Sequence, residues 1–348
     1  MAQANDVRQD FLRQSLACEF LGSPFTSRLC RVLSECLSTD TEFERKVLEW
    51  QGNLLDDVLP LRVAGGLHAL KRSGHAPELA SLYEAPPEDD ALFALTLKTT
   101  IREHESFLLP FLGSAPQTNE VSRSGALLGG VLIVAQETRL PLSVYEIGSS
   151  AGLNLSFDAY SYDLGGKVWP GKDSGVNIIC DWQGAAPSLD ISLAVIGRMG
   201  CDINPLNASD RQQRERMLCY IWPDQKERLA RIEAALAYTA KNGITPEKAD
   251  AASWVEKHFQ HGEPQGHVRM LMHSIVWQYL PDETRASITQ TMNEAGEKAT
   301  ANSPIAWLRM EADQKDIASA GLRLSIWPDG TDREIGRVDF HGRWVRWS

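Results

Sequence analysis

Tyr145-Glu146-Ile147-Gly148-Ser149-Ser150-Ala151-Gly152-Leu153-Asn154 is the stretch that decides the fold. A short apolar run over 142–147 leads into it, and a helix-compatible stretch over 153–160 leaves it. A strand that feeds a glycine turn and then a helix opens a βαβ unit, the repeating element of a parallel sheet. Glycines at 148 and 152 let the backbone turn sharply and let a ligand come close. The helix that follows presents unpaired N–H groups at its start.

Outward from this turn, the pattern differs on the two sides. Upstream, the first 140 residues predict helices only. Leu29, Val32, Leu33, Cys36 and Leu37 recur at helical spacing, and Val47, Trp50, Leu54 and Val58 continue that period in a helix expected to stop at Pro60. Further helices are expected from about 89 to 110 and from about 124. Breakers stand at Gly22-Ser23-Pro24, Gly65-Gly66, Pro86-Pro87 and Gly113. Downstream, a glycine-, proline- and aspartate-rich insertion over about 161–194 carries one strand candidate at 176–180. Strands are then expected at 195–201, weakly before Asp250, at 268–273 and at 305–310. Helices are expected between them at 224–241 and from Asp282 to Gly296. Leu322, Leu324 and Ile326 alternate with polar residues before Pro328-Asp329-Gly330, and Val338 and Phe340 alternate after it, which predicts an antiparallel hairpin. The expected architecture is α/β: a mostly parallel Rossmann-like sheet over 141–348, closed by that hairpin, with an all-helical cap over 1–140.

Composition narrows the function. The 348 residues carry a formal charge of −11, which gives no support to a protein that binds the phosphate backbone of nucleic acid. The longest apolar run, 126–135, is interrupted by two glycines and is about half the ~20 residues a membrane span needs. The amino terminus lacks the charged-then-apolar pattern of a signal peptide. Six scattered cysteines form no CxxC pair and read as small buried hydrophobes in a reduced, cytoplasmic setting.

With Glu146 two residues before the first glycine, the turn resembles motif I of the S-adenosylmethionine-dependent methyltransferases, an acidic-x-Gly-x-x-x-Gly pattern. The resemblance implies that Glu146, Gly148, Ser149, Ser150, Gly152 and Asn154 hold the methionine end of the cofactor S-adenosylmethionine. It implies a ribose-binding acid at the end of the second strand. Asp202 in Arg198-Met-Gly-Cys-Asp-Ile-Asn-Pro205 is expected there, with Asp181 as its rival, although Asp202 lies well beyond the ~20 residues usual after the glycine turn. Asp250-Ala251 resembles the pair that meets the adenine, and could equally be a helix cap. His273-Ser-Ile-Val-Trp-Gln-Tyr-Leu-Pro281 resembles the segment after the fourth strand, which implies cofactor binding by His273 and acceptor or catalytic contacts from His273 and Tyr279. Trp277 and Tyr279 have a core reading as well. The expected partners are this cofactor and an unidentified methyl acceptor, with the helical cap covering the site.

Two other readings stand beside this one. The same letters match Gly-x-Ser-x-Gly, the nucleophile elbow of a serine hydrolase, with Ser150 as nucleophile. A non-catalytic binding protein of the methyltransferase fold is the other. The whole chain is also similar to an uncharacterised bacterial domain family of unknown function, through Glu146–Asn154, Asp202-Ile-Asn-Pro205, Trp222-Pro-Asp-Gln225, His273–Leu280 and His341-Gly-Arg-Trp344. His258, His261 and His267, near Glu256 and Glu263, read as solvated histidines rather than metal ligands.

Overall fold

Apolar residues at three- and four-residue spacing build nine helices before the first strand among the described residues. This computed structural model describes residues 2–113, 116–117, 119–260 and 265–348. The helices are α1 (Ala2–Phe20), α2 (Pro24–Cys36), α3 (Glu42–Leu48), α4 (Leu54–Asp57), α5 (Leu59–Ser73), α6 (Pro77–Glu84), α7 (Asp90–Glu103), α8 (Glu105–Leu112) and α9 (Arg123–Thr138). The stripe of Leu29, Val32 and Leu33 is the buried face of α2.

Two helical expectations are corrected. The single helix predicted across 47–58 is broken between α3 and α4. Pro60 begins α5 instead of stopping a helix, because a proline's missing N–H goes unnoticed in a first turn. Gly65 and Gly66, read as breakers, lie inside α5. A Cβ on Gly65 would stand 2.5 Å from the Tyr220 ring, so its lack of a side chain serves packing.

After these helices the chain runs through β1 (Leu142–Ile147), a 3₁₀ segment (Leu153–Ala159), β2 (Ser161–Leu164), β3 (Lys167–Trp169), β4 (Asn177–Gln183) and β5 (Val195–Asp202). Next come α10 (Arg211–Cys219), α11 (Lys226–Lys241), β6 (Glu247–Lys248), α12 (Ala251–Phe259) and β7 (Val268–Ser274). A 3₁₀ turn (Trp277–Tyr279), α13 (Asp282–Glu297), β8 (Ile305–Ala312), β9 (Ala320–Trp327), β10 (Arg333–Val338) and β11 (Trp344–Trp347) complete it.

The described residues gather into two units, one within 1–118 and 211–230, the other within 119–210 and 231–348. The first is a helical bundle whose core includes Phe11, Leu33, Phe43, Leu67, Phe93 and Leu108. Helix α10 and the first turn of α11 belong to it, whereas α9 belongs to the second unit. Helix α9 packs on β8 and β9. Gly130 lets it settle there, since a Cβ would come within 2.4 Å of the Leu308 side chain.

The second unit is built on an eleven-stranded sheet in the order β3-β2-β4-β11-β10-β9-β8-β7-β1-β5-β6. Strands β6, β5, β1, β7 and β8 are mutually parallel. Numbered by their own succession along the chain, these five lie 3-2-1-4-5, the Rossmann-like arrangement. Tyr145, Ile147 and Cys201 pack under α12 and α13 on one face of the sheet. Strand alternation sends Glu146 to the opposite face.

The antiparallel end is larger than a closing hairpin. Strands β8, β9, β10 and β11 form a meander, and β10 ends at Val338 rather than running to Phe340. Strand β11 then receives β4 in parallel, so the excursion after β1 extends the sheet beyond the meander. The Trp182 and Trp347 rings meet 4.9 Å apart at that junction and lie under Gly129 of α9, where a Cβ would come within 2.9 Å of both.

Candidate functional site

Because β1, β5, β6 and β7 are parallel, their carboxyl ends share one edge of the sheet, and strand order reverses between β1 and β7. That reversal is where open α/β sheets bind ligands. Glu146, near the end of β1, is 2% exposed. Burial pushes its pKa up to about 8; the Asp202 charge adds to the rise, while a hydrogen bond from Asn154 and the Arg123 charge oppose it.

The turn beyond it is tightly held. Gly148 and Gly152 have φ of +64° and +74°, and Ser150 is forced to +53°, a left-handed conformation unusual for a residue with a side chain. The Ser149 N–H and hydroxyl both donate to the Cys201 carbonyl at 3.1 Å. Asp202, half-buried at the end of β5, accepts from the Ser150 N–H at 2.9 Å and from the Asn204 N–H at 2.8 Å. Its backbone carbonyl accepts from the Ala249 N–H beyond β6. Asp202 thus ties three strand ends together. Its rival Asp181 lies in β4, with β11, β10, β9, β8 and β7 between it and β1. Topology removes it from the site.

The remaining predicted residues divide sharply. Asp250 is exposed and caps α12 by accepting from the Ser253 N–H at 3.0 Å, with half-buried Ala251 following it. His273 is fully buried in β7, and both its ring nitrogens are engaged. The Trp307 indole N–H donates to Nε2 at 3.1 Å, so Nε2 accepts, and Nδ1–H donates to Glu311 Oε1 at 2.6 Å. The same carboxylate accepts from the Val276 and Trp277 N–H groups at 3.1–3.2 Å. Trp277 stacks on His273 at 5.0 Å. In this geometry His273 and Glu311 position the segment after β7. Tyr279 is 74% exposed, and no described contact brings its side chain to the cluster.

Sequence reasoning missed Asn119, Arg123 and Glu311. Asn119 Nδ2 donates to the Ser149 carbonyl at 2.7 Å. Arg123 spans the edge by donating to the Phe340 carbonyl at 2.9 Å and, more distantly, the Ser274 carbonyl at 3.4 Å. Glu311 follows the strand expected at 305–310, but nothing in the sequence pairs it with His273. Asn119 lies just before α9 and Arg123 at its start, and only the fold brings them here.

Four buried polar atoms around the turn have no hydrogen-bond partner among the described residues: Glu146 Oε2, Asn154 Oδ1, Asn119 Oδ1 and Ser150 Oγ. Three of them are pure acceptors when Glu146 is ionised. The crevice itself is narrow at the β1–β7 reversal. A Cβ on Gly148 would lie 2.4 Å from Val276 Cγ2, and one on Gly152 would lie 3.2 Å from Ile244 and Pro246. A cleft of about 460 Å³ opens instead beside it, on the β5 face lined by Leu155, Arg198, Gly200, Ile244 and Glu247. At its wall Asp158, 4% exposed, accepts from Arg198 at 2.9 Å and Lys172 at 2.9 Å.

His258 is not a solvated histidine: its ring packs at 4.6 Å from Trp254 and 5.4 Å from Tyr145, and burial lowers its pKa. His261 and Glu263 lie outside the described residues. Among the described residues no three His, Cys, Asp or Glu side chains come together to hold a metal, and no helix is long and apolar enough to cross a membrane. No curated protein and no solved structure matches the chain. Residues 8–347, which include the turn, Asp202, the His273 segment and the 341–344 turn, match the family described as "Uncharacterized protein conserved in bacteria (DUF2332)", and the chain belongs to that family.

Proposed function

We propose that the sheet unit binds S-adenosylmethionine at the carboxyl edge of β1 and β5 and directs its methyl group to a small-molecule or protein acceptor. The observation that carries this reading is a set of buried oxygens with no partner among the described residues: Asn154 Oδ1, Asn119 Oδ1 and, once its proton is lost, Glu146 Oε2. Leaving such atoms buried and unmade costs about 1–3 kcal/mol each, so a site that keeps them is suited to a ligand bringing N–H groups and positive charge. The α-ammonium of the cofactor's methionine end supplies both.

The other end of the cofactor has a candidate partner in Asp202. A carboxylate offers about four lone-pair sites, and among the described residues two are taken, by the Ser150 and Asn204 amides. Asp250 and Ala251, beyond β6, are the residues offered to the adenine. When bound, the cofactor supplies a methyl group on a sulfonium, whose leaving group is already good. The chain's own work is then alignment and exclusion of water. His273 and Glu311 serve this by holding Val276 and Trp277 in place, and exposed Tyr279 is left for acceptor contact.

Thermal melts of the full chain with S-adenosylmethionine and S-adenosylhomocysteine test this. At 100 times Kd either ligand should stabilise by about 2.7 kcal/mol. Glu146→Ala and Asp202→Ala should abolish the shift, and Ser150→Ala should only weaken it. Affinity for S-adenosylmethionine should rise with pH, by up to about tenfold per unit below pH 8, because Glu146 must lose its proton to meet an ammonium. No shift with either ligand would end the reading.

One observation favours the non-catalytic alternative: Val276 sits against Gly148 and narrows the crevice. In that case the melt shifts with ligand, but no S-adenosylhomocysteine forms from S-adenosylmethionine with any acceptor pool. The hydrolase alternative needs a base on Ser150, whose hydroxyl is buried and without a partner among the described residues. Absence of fluorophosphonate labelling at Ser150 is the expected result.

A further inference from the structure

We propose that the helical unit carries a second, separate binding site, for a medium-chain fatty carboxylate, in the groove enclosed by α5, α8 and α10. The groove measures about 830 Å³, within the ~300–1,000 Å³ range of small-molecule pockets. Its apolar side comes from α8, where Phe107 and Phe111, one helical turn apart, stack with centroids 5.7 Å apart. Its polar side is cationic. Arg72, Arg211 and Arg216 line it with a single acid, Glu215, and that acid is already paired with Arg72 Nε at 2.8 Å. The Arg211 side chain has no hydrogen bond or ion pair among the described residues.

The charge runs against the rest of the molecule. In a chain of formal charge −11, the lining of this groove carries a surplus of two guanidinium groups beside an aromatic floor. A small hydrated anion would use the arginines and waste the floor, while an uncharged apolar molecule would do the reverse. A carboxylate with a hydrocarbon body uses both, because the planar guanidinium fork matches a carboxylate and the stacked rings take the methylenes. This proposal is independent of the site on the sheet unit.

Titration calorimetry of the full chain with hexanoate, octanoate, decanoate and decanol tests it. Affinity should rise roughly fourfold per added methylene across the carboxylates, the increment expected for burying one CH₂ group. Decanoate should bind at least tenfold more tightly than decanol. Arg211→Glu should weaken decanoate at least tenfold and leave decanol unchanged; Arg211 is exposed, so the change spares the core. Ser106→Trp, at an exposed α8 position in the groove wall, should block both ligands without altering charge. Decanoate binding that is absent, no tighter than decanol, or unmoved by either variant would overturn the assignment.

Discussion

Glu146 and His273 stand on neighbouring parallel strands, both ionisable and both almost completely buried, yet the fold treats them in opposite ways. His273 gives each ring nitrogen a partner, and Glu311, which it meets, also gathers two backbone N–H groups. Glu146 keeps one carboxyl oxygen with no partner among the described residues, and burial pushes its pKa up to about 8. A buried polar group that is fully satisfied reads as architecture. One left partly unsatisfied against its own energetic interest reads as a place for something else to bind.

The largest effect that would break this contrast is on pH-dependent stability. The unfolded chain releases the Glu146 proton near 4.5 and the folded chain only near 8. Across that window the folded state holds the extra proton, so stability falls as pH rises. Glu146→Gln should remove that slope, matching the parent at pH 4 and exceeding it at pH 9 by on the order of 4 kcal/mol in urea unfolding. A parent whose stability does not decline between pH 5 and 8 would place Glu146 with the satisfied groups.

Glu311→Ala comes next. It strands the Nδ1–H of His273 and the N–H groups of Val276 and Trp277, so it should cost about 3 kcal/mol while leaving the Glu146 slope intact. Glu311→Gln, which keeps an acceptor, should cost less than half as much. Asp202→Ala should cost about 2 kcal/mol, since it releases the Ser150 and Asn204 amides, and should also abolish any stabilisation by S-adenosylmethionine. A variant that loses the ligand effect with no loss of stability would make Asp202 a ligand contact alone.

What could be read before the structure was local. The strand, glycine turn and following segment at 142–160 were legible because each signal lies within a few residues of the next. Asp202 and Asp181 both follow strand candidates, and the long helix after Asp202 was the local signal that favoured it. The helical errors have two causes: Pro60 suits the first turn of a helix as well as the end of one, and Gly65 stays inside α5 because the Tyr220 ring packs where a side chain would stand. The partner of His273 was hidden for a different reason. Glu311 is 38 residues away and meets it only because β7 and β8 pair in parallel, a register that no local pattern specifies. The same holds for β4, whose pairing with β11 removed Asp181 from contention.

Ser150 offers the smallest and finest test, because the two enzyme readings make opposite demands on it. Its φ of +53° is a conformation glycine adopts freely and serine adopts at a cost. Its hydroxyl is also buried without a partner, a second cost. If the residue is only a corner of a ligand-binding turn, Ser150→Gly relieves both, and the protein should gain about 1 kcal/mol of stability while still responding to S-adenosylmethionine. The backbone N–H that Asp202 accepts survives the change, so the turn keeps its anchor. If instead the strain serves to present a nucleophile, the same substitution stabilises the fold and removes every trace of esterase activity and probe labelling. Stability alone therefore does not separate the readings; the pairing of a raised melting point with a ligand response that is weakened but retained does.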